Sequence, residues 1–161
     1  MLELVLPDAS RRQAFWEAHA EWGPGLHEDG FGIGADDDVE SEAGFAQWLD
    51  KLCSGPGSLW WIVGDEVVVG GIALRAERDE RAAEHGHLGY GVRPSARGRG
   101  VASWAVDRVL EHARRQGRFD LIAVCRDDNL ASIHTLEGCG GRFQARFQRG
   151  DVGLRRYVIP L

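Results

Sequence analysis

From Arg93 the chain reads R-P-S-A-R-G-R-G and then runs into V-A-S-W-A-V-D-R-V-L, ending at Leu110. Arg93, Arg97 and Arg99 fall within seven residues, and Gly98 and Gly100 interrupt the last of them. The chemistry open to such a stretch is anion binding. The first N–H groups of a helix have no intrahelical acceptor and carry partial positive charge. Glycine adds no Cβ, so a ligand can reach that backbone closely. Together these features make a phosphate site. An arginine about 4 Å from a phosphate adds roughly 1–4 kcal/mol of screened attraction before desolvation. The chain as a whole has a formal net charge of −6, so this local excess of cation asks for an anionic partner.

Two phosphate ligands are disfavoured by spacing. A mononucleotide loop needs G-x-x-x-x-G-K-[ST], which does not occur. A dinucleotide fingerprint would begin at Gly98 and Gly100, but its third glycine falls on Ser103. Asp120 stands near the distance of a ribose-binding acid, yet it precedes the L-I-A-V-C segment instead of following it.

A second group of reactive side chains lies just upstream, in E-H-G-H-L-G-Y-G-V. The spacing predicts a strand over residues 85–92 with His85 and His87 on one face. Either could take a proton, with Glu84 beside them and Tyr90 further along. Gly89 and Gly91 within that strand mark a bulge or a close backbone approach. Two histidines without further ligands do not make a metal site, and no metal is expected.

The elements that must position these groups follow from periodicity. Leu2 to Leu6 reads as a short strand, and Pro7-Asp8 opens a helix carrying Phe15, Trp16, Ala18 and Trp22 along one side. Gly23 to Asp38 is a glycine-rich, acidic stretch, readable as a lid over a substrate or as a solvated excursion. Ser41 starts a second helix through Phe45, Trp48, Leu49 and Leu52, broken by S-G-P-G. S-L-W-W-I-V and V-V-V-G-G-I-A-L-R flank a short turn and predict an antiparallel hairpin. Ala76 to Glu84 is a charged connection. After Gly100, Val101, Ala105, Val109 and Ala113 recur every four residues beside Val106 and Leu110, giving a wide apolar stripe. L-I-A-V-C is a continuous apolar run, as in a buried strand. Asp127-Asp128-Asn129 then starts a shorter helix, and a hairpin turning near Gly150 ends the chain.

Composition bounds the rest. With 161 residues, 43% hydrophobic content and six tryptophans, the chain reads as one globular domain spanning 1–161. Its acidity argues against nucleic acid as a partner. Cys53, Cys125 and Cys139 are odd in number and irregularly spaced, unlike a disulfide framework. No apolar run approaches a membrane span, and M-L-E-L-V-L-P is too short and acidic for a signal peptide. A cytoplasmic setting is expected.

Arg97-G-Arg99-Gly100-V-Ala102, preceded by Val92-Arg-Pro94, resembles the [RQ]-x-x-G-x-[GA] signature of the GNAT N-acetyltransferase superfamily. Asn129-L-A-Ser132 through Glu137-G-C-Gly140-Gly141 is similar to that superfamily's second motif. The resemblance is strong from Leu59 to Phe143 and thin before, and points to a bacterial branch of unassigned substrate. It implies an α/β fold with a mixed, mostly antiparallel sheet, flanking helices, and fourth and fifth strands splayed around the pantetheine arm of acetyl-CoA. It implies that the amides of Arg97, Gly98, Arg99, Gly100, Val101 and Ala102 hold the pyrophosphate. Val92 would bond the pantetheine and polarise the acetyl carbonyl, and Asn129 and Ser132 would lie on the cofactor side. The expected reaction is direct acetyl transfer to a primary amine of a small molecule or peptide, with His87 preferred as base and Glu84 and His85 behind it. Many members carry a proton-donating tyrosine seven residues after the asparagine, where this chain has Leu136. Tyr90 is the substitute acid, with Cys139 more remote. The departure keeps open a non-catalytic acyl-CoA-binding module, and a phosphate sensor without acyl chemistry. A homodimer is compatible with the resemblance.

Overall fold

Phe15 is the centre around which the first part of the chain folds. The computed structural model describes residues 1–25 and 27–161, so Leu26 of the Gly23–Asp38 stretch lies outside the described residues. Strand β1 (Leu2–Val5) is followed by a 3₁₀ turn (Ala9–Arg11) and α1 (Arg12–Trp22). Asp8 starts the turn by accepting the N–H of Ser10. Helix α2 (Glu42–Ser54) is capped by Ser41, whose hydroxyl accepts from Gly44 N–H at 3.1 Å. Strands β2 (Ser58–Gly64) and β3 (Val67–Leu74) form the expected hairpin. Its two turn residues, Asp65 and Glu66, both have positive φ (50° and 66°), the twist-matched geometry of a two-residue loop. Phe15 is wholly buried, stacked on Trp61 with centroids 5.3 Å apart and against Trp48 at 4.9 Å and Phe31 at 5.1 Å. Burying one such side chain contributes about 1.5–3 kcal/mol, and the ring contacts fix its orientation.

Beyond β3 come α3 (Ala82–His85), β4 (Leu88–Val92), a 3₁₀ turn (Pro94–Ala96), α4 (Val101–Arg115), β5 (Asp120–Arg126), α5 (Leu130–Gly138), β6 (Arg142–Arg149) and β7 (Val152–Pro160). The seven strands are ordered β1-β2-β3-β4-β5-β7-β6. β4 and β5 are parallel, in register at Leu88↔Ala123, while β1–β2, β5–β7 and β6–β7 are antiparallel. The mixed, mostly antiparallel sheet with flanking helices is the expected class. The stripe on α4 is realised, with Val101, Ala105, Val106, Val109, Leu110 and Ala113 all buried. β5 alternates more than its apolar run suggested: Leu121, Ala123 and Cys125 are buried, while Ile122 and Val124 are half-buried.

Packing divides the chain into two units, Met1–Ala73 with Tyr90–Val101, and Leu74–Gly89 with Ala102–Leu161. One boundary falls inside β4, between Gly89 and Tyr90.

The Gly23–Asp38 stretch is not a solvated excursion. It contains no helix or strand among its described residues, yet Asp29 and Phe31 are buried, as is Val39 just after it. Three glycines make this possible. A Cβ on Gly30 would lie 2.6 Å from Gly91 N and overlap Gly71 O, and a Cβ on Gly91 would lie 2.6 Å from Asp29 Cα. Backbone therefore lies directly on backbone where the segment crosses β3 and β4. By contrast, nothing stands within 4 Å of a Cβ on Gly89. Gly91→Ala should consequently lower unfolding stability by about 1–3 kcal/mol, whereas Gly89→Ala should change it by under about 0.5 kcal/mol. Urea titration of both variants checks the contrast, and equal costs would contradict it.

Candidate active site

In the first unit, β4 runs into the arginine–glycine turn. Arg93 N–H donates to Val69 O at 2.8 Å, continuing the β3–β4 ladder to the strand end. Antiparallel pairing alternates, so the N–H of Val92 points away from β3. The carbonyl of Val92 accepts Arg97 Nε at 2.9 Å. After the Pro94–Ala96 turn, Gly98 and Gly100 both adopt left-handed φ (73° and 75°), which a side chain would strain. Nothing lies within 4 Å of a Cβ at either position. Arg97, Gly98, Arg99 and Gly100 are all exposed, with Val101 buried and Ala102 half-buried as α4 begins. Among the described residues, the amides of Gly98 to Ala102 donate to no backbone carbonyl outside the helix. The first amides of a helix are the ones left without an intrahelical acceptor.

Arg93 does not join them. Its Nε meets Glu21 Oε2 at 2.5 Å and its Nη1 meets Val68 O at 3.2 Å. Glu21 also accepts the N–H and hydroxyl of Ser95. Partial burial pushes the Glu21 pKa up, but the Ser95 and Arg93 hydrogen bonds and the Arg93 charge outweigh it and hold the carboxyl below its usual range. The cationic excess at the turn is thus Arg97 and Arg99, two charges and not three.

The second unit holds the upstream group, and here the expected register changes. His85 ends α3, and Gly86 follows with φ of 77°, so β4 begins only at Leu88. A four-residue helical turn carries too little periodicity to be read from A-A-E-H. His85 and His87 therefore do not share a strand face. His85 Nδ1 lies 2.8 Å from Arg149 Nη1, and burial followed by the Arg149 charge lowers its pKa. Glu84 sits on α3 with an exposed side chain, and its carbonyl accepts from Arg149 at 3.2 Å. His87 is 7% exposed. Its Nδ1 accepts the N–H of Ile122 at 2.9 Å, so Nε2 carries the proton and donates it to Glu77 O at 3.1 Å. Both nitrogens of His87 are committed to backbone, and its ring ties the residue before β4 to β5 and to the connection at Glu77. Tyr90, in the first unit, is half-buried on β4.

Asn129 caps α5, its Oδ1 accepting from Ser132 N–H at 3.1 Å. Both residues are half-buried. Leu136 is core, at 1% exposure. Glu137 is exposed and accepts the hydroxyl of buried Tyr157 at 3.0 Å. Cys139 Sγ lies 3.1 Å from Leu136 O, and burial pushes its thiol pKa up, away from ready proton exchange. Among the described residues no group of His, Cys, Asp and Glu side chains is arranged to hold a metal.

The sequence of residues 13–140 matches the model of the acetyltransferase (GNAT) family. The chain belongs to the GNAT acetyltransferase family. No functionally curated protein matches it. Solved structures share the fold. One is the Microcin C7 self-immunity acetyltransferase MccE in complex with acetyl-CoA and AMP, at 12% identity over 99% of this chain and 92% of that one, with a TM-score of 0.76. Another is the Salmonella typhimurium acetyltransferase that modifies the N-terminal serine of ribosomal protein L7/L12, at 18% identity, 99% and 95% coverage and TM-score 0.75. A third is a GNAT-family acetyltransferase from Streptococcus pneumoniae, at 13% identity, 100% and 100% coverage and TM-score 0.73. Acetyl-CoA is the cosubstrate of this GNAT protein's family.

Two residues absent from the sequence-derived set stand out in the first unit. His19 on α1 stacks on Phe15 with centroids 5.7 Å apart, and its Nδ1 lies 3.6 Å from Asp29 Oδ2. Asp29 is 2% exposed; its Oδ1 accepts Phe31 N–H at 3.0 Å, and its Oδ2 has no hydrogen-bond partner among the described residues. The i,i+4 spacing of Phe15 and His19 on the apolar side of α1 was the available signal.

The Glu21–Arg93 pair generates a pH prediction. A carboxyl with a depressed folded-state pKa adds stability above its unfolded value, about 4.3, and loses it as pH falls through the folded value. Glu21→Gln should therefore reduce stability at pH 7 and flatten its decline below about pH 4.3. Thermal melts from pH 7 to pH 3 check this; an unchanged acid limb would contradict it.

Proposed function

We propose that this GNAT protein is a cytoplasmic N-acetyltransferase, its residues 1–161 working as one acetyltransferase domain. It moves the acetyl group of acetyl-CoA directly to a primary amine of a small molecule or peptide in a ternary complex. Among the described residues no helix is long and apolar enough to cross a membrane. One neighbour of the same fold modifies an N-terminal serine, which is an amine acceptor of this kind.

The observation that carries the reading is the turn at the start of α4. With Gly98 and Gly100 left-handed, the amides of Gly98 to Ala102 have no backbone acceptor outside the helix among the described residues, and Arg97 and Arg99 are exposed beside them, while the Arg97 amide is spent on Pro94 O at 3.3 Å. That fits a diphosphate in shape and charge. Arg97 occupies the carbonyl of Val92, so the Val92 N–H is the group left for the pantetheine or acetyl oxygen, where a backbone donor stabilises developing negative charge. In the second unit, Asn129 spends its oxygen on the helix cap, which leaves its carboxamide N–H groups as donors, with Ser132 three residues on.

The chemistry needs a neutral amine, a polarised thioester carbonyl and a proton for the departing thiolate. Leu136 supplies no proton, so Tyr90 is the candidate acid, with solvent water as the other source. His87 acts as a positioning residue, its imidazole locked between two backbone groups. Glu84 remains a candidate only from the exposed end of α3.

A second reading, an acyl-CoA-binding module without turnover, is favoured by Leu136 being core at the position where many members of the superfamily carry the proton-donating tyrosine. Calorimetry with acetyl-CoA and desulfo-CoA, followed by thiol release with an amine panel, separates the two. The transferase reading expects binding and amine-dependent thiol release, and the module reading expects binding alone. Gly100→Glu places a carboxylate at a strained left-handed site, and desulfo-CoA affinity should fall at least about tenfold. Unchanged affinity would contradict the pyrophosphate assignment.

A further inference from the structure

An ionised carboxylate buried with a single N–H partner is costly unless a cation can approach it. The Asp29 side chain is buried with one such partner: Oδ1 has the Phe31 N–H, while Oδ2 lies 3.6 Å from His19 Nδ1 and has no hydrogen-bond partner among the described residues. The pair is held rigidly. Phe15 stacks on one side of the imidazole at an interplanar angle of 6°, and Asp29 is pinned to β4 where Gly91 has no side chain. Gly91 immediately precedes Val92, the residue assigned above to the acetyl carbonyl. His19 also lines a cavity of about 840 Å³ between α1 and the segment that follows it, which is within the size range of small-molecule sites. His19 Nδ1 is buried and the side chain is 20% exposed, so Nε2 is the nitrogen on the cavity side.

We propose that His19 is the general base for the acceptor amine and that Asp29 is its positioning residue. The cavity beside α1 would then be where the acceptor enters. This rests on the transferase reading. The arriving ammonium first gives one proton to water in the cavity, and the lone pair so freed forms the C–N bond to the thioester carbonyl carbon. The C–S bond breaks, and its electron pair leaves on sulfur as thiolate. The amine proton passes to His19 Nε2, where the Asp29 carboxylate stabilises the imidazolium, and then to solvent through the cavity. The thiolate takes a proton from Tyr90 or water. Asp37, Asp38 and Glu40 also line the cavity, and Lys51 bridges both oxygens of Asp37 at 2.9 Å. Asp38 is spent on Ser41 and the N–H of Glu40 but keeps its charge. The wall is thus negative, which suits an alkylammonium ion arriving from water and disfavours an acceptor with a carboxylate next to its amine.

The test is steady-state kinetics of the full chain with acetyl-CoA and butylamine, putrescine and a dipeptide amide, from pH 5.5 to 9, with His19→Gln and Asp29→Asn. His19→Gln should lower kcat by about 10²–10⁴-fold, leave desulfo-CoA affinity within twofold of wild type, and remove the acid limb of the profile. Asp29→Asn should move that limb to lower pH, because the imidazolium loses its counter-charge. A purely structural role would not produce that shift. If His19→Gln keeps the wild-type melting temperature and kcat within threefold, the proposal is overturned. If His19→Gln does not fold, the Asp29→Asn profile decides, and an unmoved acid limb overturns it. A wild-type protein that binds acetyl-CoA and releases no thiol with any amine overturns the transferase reading itself. Turnover that is indifferent to His19 overturns only this inference.

Discussion

The left-handed backbone at Gly98 and Gly100 is the constraint on which the functional account depends. It lets the chain leave β4, make a 3₁₀ turn and enter α4 without closing over the helix's first amides. A side chain at either position would strain the turn, and pairing of those amides elsewhere would remove the donor set. The apolar stripe on α4 then anchors the helix, so its N-terminus is a fixed dipole and not a mobile one. Anion binding at this corner follows from backbone geometry first, with Arg97 and Arg99 adding charge around it.

A second backbone feature places the acceptor side. Gly30, Gly71 and Gly91 let one segment lie on the sheet without intervening side chains. That contact brings Asp29 to β4 and buries it under the aromatic cluster centred on Phe15. The consequence is a carboxyl held in a poorly solvated place, with the His19 imidazole nitrogen 3.6 Å from it. Packing in this half of the chain and the chemistry proposed for it are therefore the same arrangement, and a change in Phe15 or Gly91 would be felt at His19.

Regular elements were legible from residue periodicity because each carries many repeats of one pattern. The four-residue spacing on α4, the Ser41 and Asn129 caps and the β2–β3 hairpin all emerged at nearly their observed bounds. The turn before α4 was legible for a different reason, since glycine and arginine alternate there in a motif. Long-range pairing was not. Glu21 neutralises Arg93 across 72 residues, so a count of local arginines overstated the turn's charge. The His85 register failed because α3 is a single turn, and Gly86 reverses the chain before β4 starts. His87 looked available as a base because a sequence does not show that Ile122 and Glu77 take both its nitrogens. His19 and Asp29 were passed over since their approach depends on three glycines in different elements.

The central claim is that the amides opening α4 grip the diphosphate of acetyl-CoA. The most direct measurement is a titration of ¹⁵N-labelled protein with desulfo-CoA, following backbone amide shifts. The account predicts that the largest changes fall on Gly98, Arg99, Gly100, Val101 and Ala102 and saturate with the binding isotherm. Saturable binding that leaves those five amides unmoved while shifting resonances elsewhere would contradict it.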